Sequence, residues 1–114
     1  MITLPKTLQT IFNIVATHLM TQMQVCRDDD AVCKYREGGL KCAAGALIKD
    51  EEYSESLEGK SWRTLVGCNL APAHFGQEIY KLQLIHDGSD PSEWKSGLRE
   101  FGEEHELDLP ECLS

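Results

Sequence analysis

Apolar residues recur at spacings of three and four through Leu4, Leu8, Ile11, Phe12, Val15, Ala16, Leu19, Met20 and Met23. That spacing lays them along one stripe of a helix. It predicts a first helix over residues 4–24, with Thr3 as its cap and Pro5 in a first turn where no amide partner is lost. This is the clearest element of the chain and the expected central packing element. A polar break, Cys26-Arg27-Asp28-Asp29-Asp30, then interrupts the helical period.

Beyond the break, Val32-Cys33-Lys34-Tyr35-Arg36-Glu37 and Leu40-Lys41-Cys42 flank the pair Gly38-Gly39. Both glycines can take positive φ without a Cβ clash, so the arrangement predicts a β-hairpin with a two-residue loop. In that register Glu37 faces Leu40, Arg36 faces Lys41 and Tyr35 faces Cys42. Side chains alternate across a strand, which places Cys33, Tyr35, Leu40 and Cys42 on one, inward face and Lys34, Arg36 and Lys41 on the other.

Ala43-Ala44-Gly45-Ala46-Leu47-Ile48 is alanine-rich and fits a helix, with Gly45 permitting close approach of another backbone; a strand running on to Ile48 is the alternative, and periodicity does not separate them over so short a run. Asp50-Glu51-Glu52-Tyr53 suggests a short turn or helix stopped by Gly59, and Trp62, Leu65 and Val66 another short helix. Phe75, Ile79, Leu82 and Ile85 resume helical spacing up to Gly88. Asp90-Pro91-Ser92-Glu93 combines a cap, a first-turn proline and an acid at the third position, a start signal for a last helix that buries Trp94, Leu98 and Phe101. The acidic tail from about residue 103 is expected to be ordered only if Leu107 and Leu109 dock. Trp62 and Trp94 are expected in the core. The fold class predicted is α+β: a small, mainly helical single domain over 1–114 with one short β-hairpin.

A chain of 114 residues with 41% hydrophobic and 26% charged residues is of globular rather than disordered composition. Its formal net charge of -8 argues against broad contact with nucleic-acid phosphates or an anionic membrane, and is compatible with a basic protein partner. No apolar run approaches the roughly 20 residues of a membrane span. The opening Met1-Ile2-Thr3-Leu4-Pro5-Lys6 lacks the pattern of a secretory signal, so the expected location is cytoplasmic. Five cysteines in that setting are expected as thiols or ligands rather than a disulfide framework.

Four constellations could carry chemistry. Cys33 and Cys42 on one hairpin face, completed by His86 or His74, with Cys26 or Cys68 as further candidates, could share a zinc ion; the competing reading is that the thiols are small buried hydrophobes. Cys42 at a helix start would have its thiolate favoured by the helix dipole, with His86-Asp87 as base and orienter, but neighbouring residues on a helix do not ordinarily face each other. Lys34, Arg36 and Lys41 could hold a phosphate or nucleotide, or pair with the protein's own Asp50, Glu51 or Glu58. Finally, residues 87–114 carry nine acidic side chains against Lys95 and Arg99, a negative ridge able to steer a basic protein surface, or simply a solvated helix and tail.

The block Cys33-Lys34-Tyr35-Arg36, Gly39-Leu40-Lys41-Cys42-Ala43-Ala44-Gly45-Ala46-Leu47-Ile48, Asp50-Glu51-Glu52-Tyr53 and Glu58-Gly59, followed by Leu82-Gln83-Leu84-Ile85-His86-Asp87 and Trp94, resembles a family of small uncharacterised proteins of tailed phages and prophages. The resemblance covers roughly residues 12–106, while Cys26, Cys68 and Cys112 lie outside it. The family has no established activity and lends no catalytic residues. It implies a phage accessory protein, and small acidic phage proteins without enzyme motifs often bind host proteins, including defence factors.

The resulting expectation is a non-enzymatic protein that modulates a host macromolecule, as an anti-defence inhibitor, with self-association into a homodimer as a further possibility. Its binding surface is expected at Lys34, Tyr35, Arg36 and Lys41 together with Glu100, Glu103 and Glu104. The alternative is a small-molecule, nucleotide or metal-binding module centred on Cys33, Cys42 and His86, with zinc as the candidate ion. A hydrolase ranks third.

Overall fold

In the computed structural model, which describes residues 1–30 and 32–114, the first helix begins four residues later than the apolar stripe suggests. Helix α1 spans Leu8–Gln22, and Thr7 caps it by accepting the Thr10 amide at 3.2 Å. Thr3 is occupied elsewhere: its amide and hydroxyl both donate to Glu52 Oε2, at 3.0 and 2.6 Å. Ile2 is buried, with its amide donating to the Leu70 carbonyl at 2.9 Å. These contacts draw the first residues into an extended strap, so Pro5 lies ahead of the helix instead of in its first turn. At the other end Met23 adopts φ 51° and its amide closes on the Leu19 carbonyl, ending the helix. Ile11, Phe12, Val15, Ala16 and Leu19 are buried along the predicted stripe.

The hairpin forms in the register read from the glycines. Strands β1 (Arg36–Glu37) and β2 (Leu40–Lys41) pair antiparallel, Arg36 with Lys41 and Glu37 with Leu40, around Gly38 and Gly39 at φ 57° and 86°. The Cys42 amide donates to the Tyr35 carbonyl at 3.3 Å, extending the pairing by one residue. So short a ribbon is not self-supporting. It is tied to α1 by Gln22, whose amide group donates to the Lys41 carbonyl at 2.8 Å and accepts the Lys41 amide at 2.9 Å.

Over residues 43–48 the chain is neither the predicted helix nor a strand, while the short turn expected at Asp50-Glu51-Glu52-Tyr53 is present. The stretch as far as Leu57 folds as three single 3₁₀ turns, Gly45–Leu47, Asp50–Glu52 and Glu55–Leu57. The close approach expected at Gly45 is present: a Cβ there would lie 2.2 Å from the Tyr35 carbonyl oxygen. Helix α2 is Trp62–Gly67, α3 is Gly76–Gly88 and α4 is Pro91–Glu104. The α4 start fits its sequence signal, with the Glu93 amide donating to the Asp90 carbonyl at 2.8 Å and the Asp90 amide to Glu93 Oε1 at 3.3 Å.

Helix α4 lies between α1 and α3. Phe101 stacks on Phe12 at 5.5 Å, and Gly97 lets Ile85 of α3 approach. The tail docks. Leu107 and Leu109 are partly buried, Leu113 is fully buried in a last 3₁₀ turn (Glu111–Leu113), and Asp108 exchanges two backbone hydrogen bonds with the Gln9 side chain. Trp94 is fully buried and Trp62 nearly so. The fold is thus a mainly helical α+β arrangement with one short hairpin. Among the described residues no helix is long and apolar enough to cross a membrane.

Candidate functional site

The hairpin does not present the two faces its alternation predicts. Tyr35 and Cys42 point into the core and Leu40 is partly buried, but Cys33 is exposed. The reason is a second, smaller ribbon. Asp28 accepts the Asp30 and Val32 amides, each at 2.9 Å, and Arg27 pairs across from Cys33, so the segment bends away before β1 begins. The cationic face divides in the same way. Lys34 sits 3.9 Å from Asp28, whereas Arg36 and Lys41 converge on Asp50 at 2.8 and 3.9 Å. Arg36 also covers the Tyr53 ring at 4.7 Å and donates to the Ile48 carbonyl at 2.8 Å. Each of these cations therefore has an acid of the protein within 3.9 Å, with Arg36 and Lys41 sharing Asp50, and they form no single anion pocket.

Glu58 holds the inner side of the hairpin. Its carboxylate accepts the Tyr35 amide at 2.8 Å, the Arg36 amide at 3.1 Å and the Tyr53 hydroxyl at 2.7 Å. The sequence suggested Glu58 only as a partner for surface cations. Its role in clasping backbone depends on a loop contact across 22 residues, which local pattern does not encode.

Helix α3 supplies a second polar anchor. His86 is fully buried and stacks on Trp94 at 5.4 Å. Its Nε2 accepts the Cys26 amide at 3.0 Å, and its Nδ1 lies 2.7 Å from Asp87 Oδ1. The expectation that neighbours His86 and Asp87 would not face each other is corrected by this bond, made in the last turn of the helix. Gln83 bridges the same system, donating to Asp87 at 2.8 Å and accepting the Ala44 amide at 2.9 Å. Burial alone would raise the Asp87 carboxyl, but hydrogen bonds from His86, Cys33 and Gln83 hold it below the usual carboxylate range.

This arrangement removes the basis for zinc at Cys33, Cys42 and His86. Both His86 nitrogens are engaged, leaving no lone pair for a metal. Burial pushes the Cys42 thiol up to about 12 and the Cys26 thiol to about 11, and it raises Cys33 as well, so these thiols are protonated at neutral pH in the metal-free chain. Cys42 Sγ accepts the Gly45 amide at 3.2 Å, and His74 is bonded to the Pro5 carbonyl at 3.3 Å. Among the described residues, no three His, Cys, Asp or Glu side chains gather as a metal site. The expected activation of Cys42 at a helix start is also corrected, because desolvation outweighs the single short turn that follows it.

Two surfaces remain. A cleft of about 400 Å³ lies between the hairpin and α3, lined among others by Cys33, Tyr35, Cys42, Trp62, Tyr80 and Asp87. On the outer side of α4 Glu100 and Glu103 are exposed and make no ion pair among the described residues, while Glu104 lies 3.6 Å from Lys81. Lys95 and Arg99 share that side, with Arg99 donating to the Leu113 carbonyl at 3.1 Å. The tail continues it with exposed Glu106, Asp108 and Glu111. Comparison of the chain with protein-family models, curated proteins and solved structures yields no match.

Proposed function

We propose that this chain is a non-enzymatic accessory protein of phage type that binds a basic surface on a host macromolecule and modulates it, as an inhibitor of a host defence factor in the host cytoplasm. The observation that carries this reading is the contrast between two charged surfaces. The hairpin cations Lys34, Arg36 and Lys41 each lie within 3.9 Å of Asp28 or Asp50, whereas Glu100 and Glu103 are exposed and make no ion pair among the described residues, although Lys95 and Arg99 share their side of the helix. In a chain of net charge -8, the uncompensated carboxylates dominate the outward field and would accelerate encounter with a cationic partner. The binding surface is accordingly narrowed to the outer side of α4 and the tail, and the hairpin cations are dropped from it. Capture from a bacterial host lysate tests the reading: one dominant partner should be retained by the native chain and lost on Glu100→Lys with Glu103→Lys. Retention unchanged by that reversal would refute the surface.

A small-molecule module is the second reading, favoured by the cleft beside Cys33, Tyr35 and Cys42. It predicts a raised melting temperature with one member of a nucleotide panel, through mass action on the folded state. A flat response across the panel would exclude nucleotides as its ligands.

A further inference from the structure

His86 is buried in the described core together with the Cys26 and Cys42 thiols and the Tyr35 phenol, and its two nitrogens face opposite requirements. Nε2 accepts a backbone amide, so it carries no proton while the Cys26 contact exists. Nδ1 then carries the ring's proton and donates it to Asp87 Oδ1. A second proton on Nε2 would set two donors against each other across 3.0 Å. The carboxylate at Nδ1, conversely, stabilises the imidazolium once it has formed. Asp87 thus makes proton uptake attainable, and the Cys26 amide determines what uptake must break.

That amide is a principal tie between α3 and the segment leading into the hairpin. Cys26 accepts the Lys34 amide at 3.2 Å and Arg27 pairs with Cys33, so these residues are linked to it. Its other ties to α3 are Arg27 Nη2 to the Asp87 carbonyl at 3.3 Å and the Cys33 thiol beside the Asp87 carboxylate, while Cys26 Sγ reaches the Leu40 carbonyl of the hairpin at 3.4 Å. From this geometry we propose that His86 is a proton-operated latch: protonation of Nε2 releases Cys26 and lets Cys26 and the Arg27–Cys33 pair part from α3 while the helical core stays folded.

The groups facing the ring are few. Asp87 lies on its own helix, while Arg27, Cys26 and Cys33 lie on the ribbon. The α4 face contributes Trp94, whose indole is committed to the Ser89 carbonyl. Across the hairpin Cys42 is a buried thiol, and Glu37 and Glu58 act on Cys26. None of them can supply Cys26 with another acceptor at the position of Nε2. The open form binds one proton more than the latched form. By linkage, acid therefore shifts the ratio toward the open form. The inference does not rest on the proposed function. It does bear on the cleft, since Val32 and Cys33 form part of its wall.

Amide exchange and imidazole nitrogen shifts, read by NMR on the native chain, test it. At pH 7 His86 should show a protonated Nδ1 and a bare Nε2. Between pH 7 and 5 the protection factor of the Cys26 amide should fall about tenfold or more, while amides of Phe12 and Leu98 keep theirs. His86→Gln should abolish the pH slope at Cys26. The opposite tautomer, a Cys26 protection factor independent of pH, or equal loss at Phe12 and Leu98 would each overturn the latch. Both wild-type readings decide the matter even if the variant fails to fold.

Discussion

The carbonyl oxygen of Tyr35 lies over Gly45 with no space for a methyl group, since a Cβ at that position would sit 2.2 Å from it. Backbone, not a flexible side chain, makes the contact, so the clash is relieved only by moving the hairpin off its 3₁₀ turn. Gly45→Ala should destabilise the protein by about 3 kcal/mol, at the upper end of overpacking costs, read as a shift in urea midpoint. Gly67→Ala, with open space at its Cβ, is the control and should leave the midpoint nearly unchanged.

Glu58 joins the hairpin to the loop that follows it through three donors. Glu58→Ala leaves the Tyr35 and Arg36 amides without their acceptor and should cost about 2 kcal/mol. Because the helical core does not depend on this carboxylate, the exchange protection lost should be concentrated at Tyr35 and Arg36.

The tail is a structural part of the domain. Leu113 is fully buried, and Leu109 packs where Gly102 leaves room for it. Leu113→Ala should cost about 3 kcal/mol, the usual range for deleting a buried leucine, and should lower the melting temperature. A midpoint equal to wild type would show that the tail contributes nothing to the core.

Thiol reactivity should follow burial. Cys26 and Cys42, raised to about 11 and 12, stay protonated at pH 8 and are sealed in the core. Cys68 is exposed on the surface. Alkylation at pH 8 followed by peptide mass spectrometry should find Cys68 labelled first, and Cys26 and Cys42 labelled only after denaturation. Rapid native labelling of Cys42 would contradict its placement.

The Asp87 carboxyl is held below its ordinary range, so its stabilising effect is fully present above the unfolded value, near 3.9, and is lost as pH falls through the lower folded one. Asp87→Asn should lower stability at pH 7 and flatten the acid limb of the stability profile below about pH 4. Denaturant melts at stepped pH values measure both effects.

Much of the fold was legible in the sequence because it is encoded within a few residues. Gly38-Gly39 gave the turn and register, Asp90-Pro91-Ser92-Glu93 gave the start of α4, and the stripe from Ile11 to Leu19 gave the buried face of α1. Local pattern misplaced the start of α1, since Thr3 and Thr7 are both competent caps. The choice was made by Glu52, 49 residues from Thr3, which takes both of its donors. It likewise overextended the Ala43–Ile48 helix, a run too short to resist the close approach of Tyr35.

The candidate site was less legible for the same reason. Residue types and charges were visible along the chain, and so was the excess of acid near its end. Which charges are compensated depends on side-chain distances between remote segments, and folding paired Arg36 and Lys41 with Asp50 but left Glu100 and Glu103 outward. Alternation placed Cys33 and Cys42 together on an inward face, yet only Cys42 is buried, and Cys33 is exposed where a turn closed by Asp28 precedes β1. Sequence by itself determined the helices, the glycine turn and the net charge, because propensity, capping and spacing act over a turn or two. Only the tertiary structure decided which thiols are sealed, which nitrogen of His86 is committed and where uncompensated charge emerges, because burial and hydrogen bonding are properties of surfaces that meet.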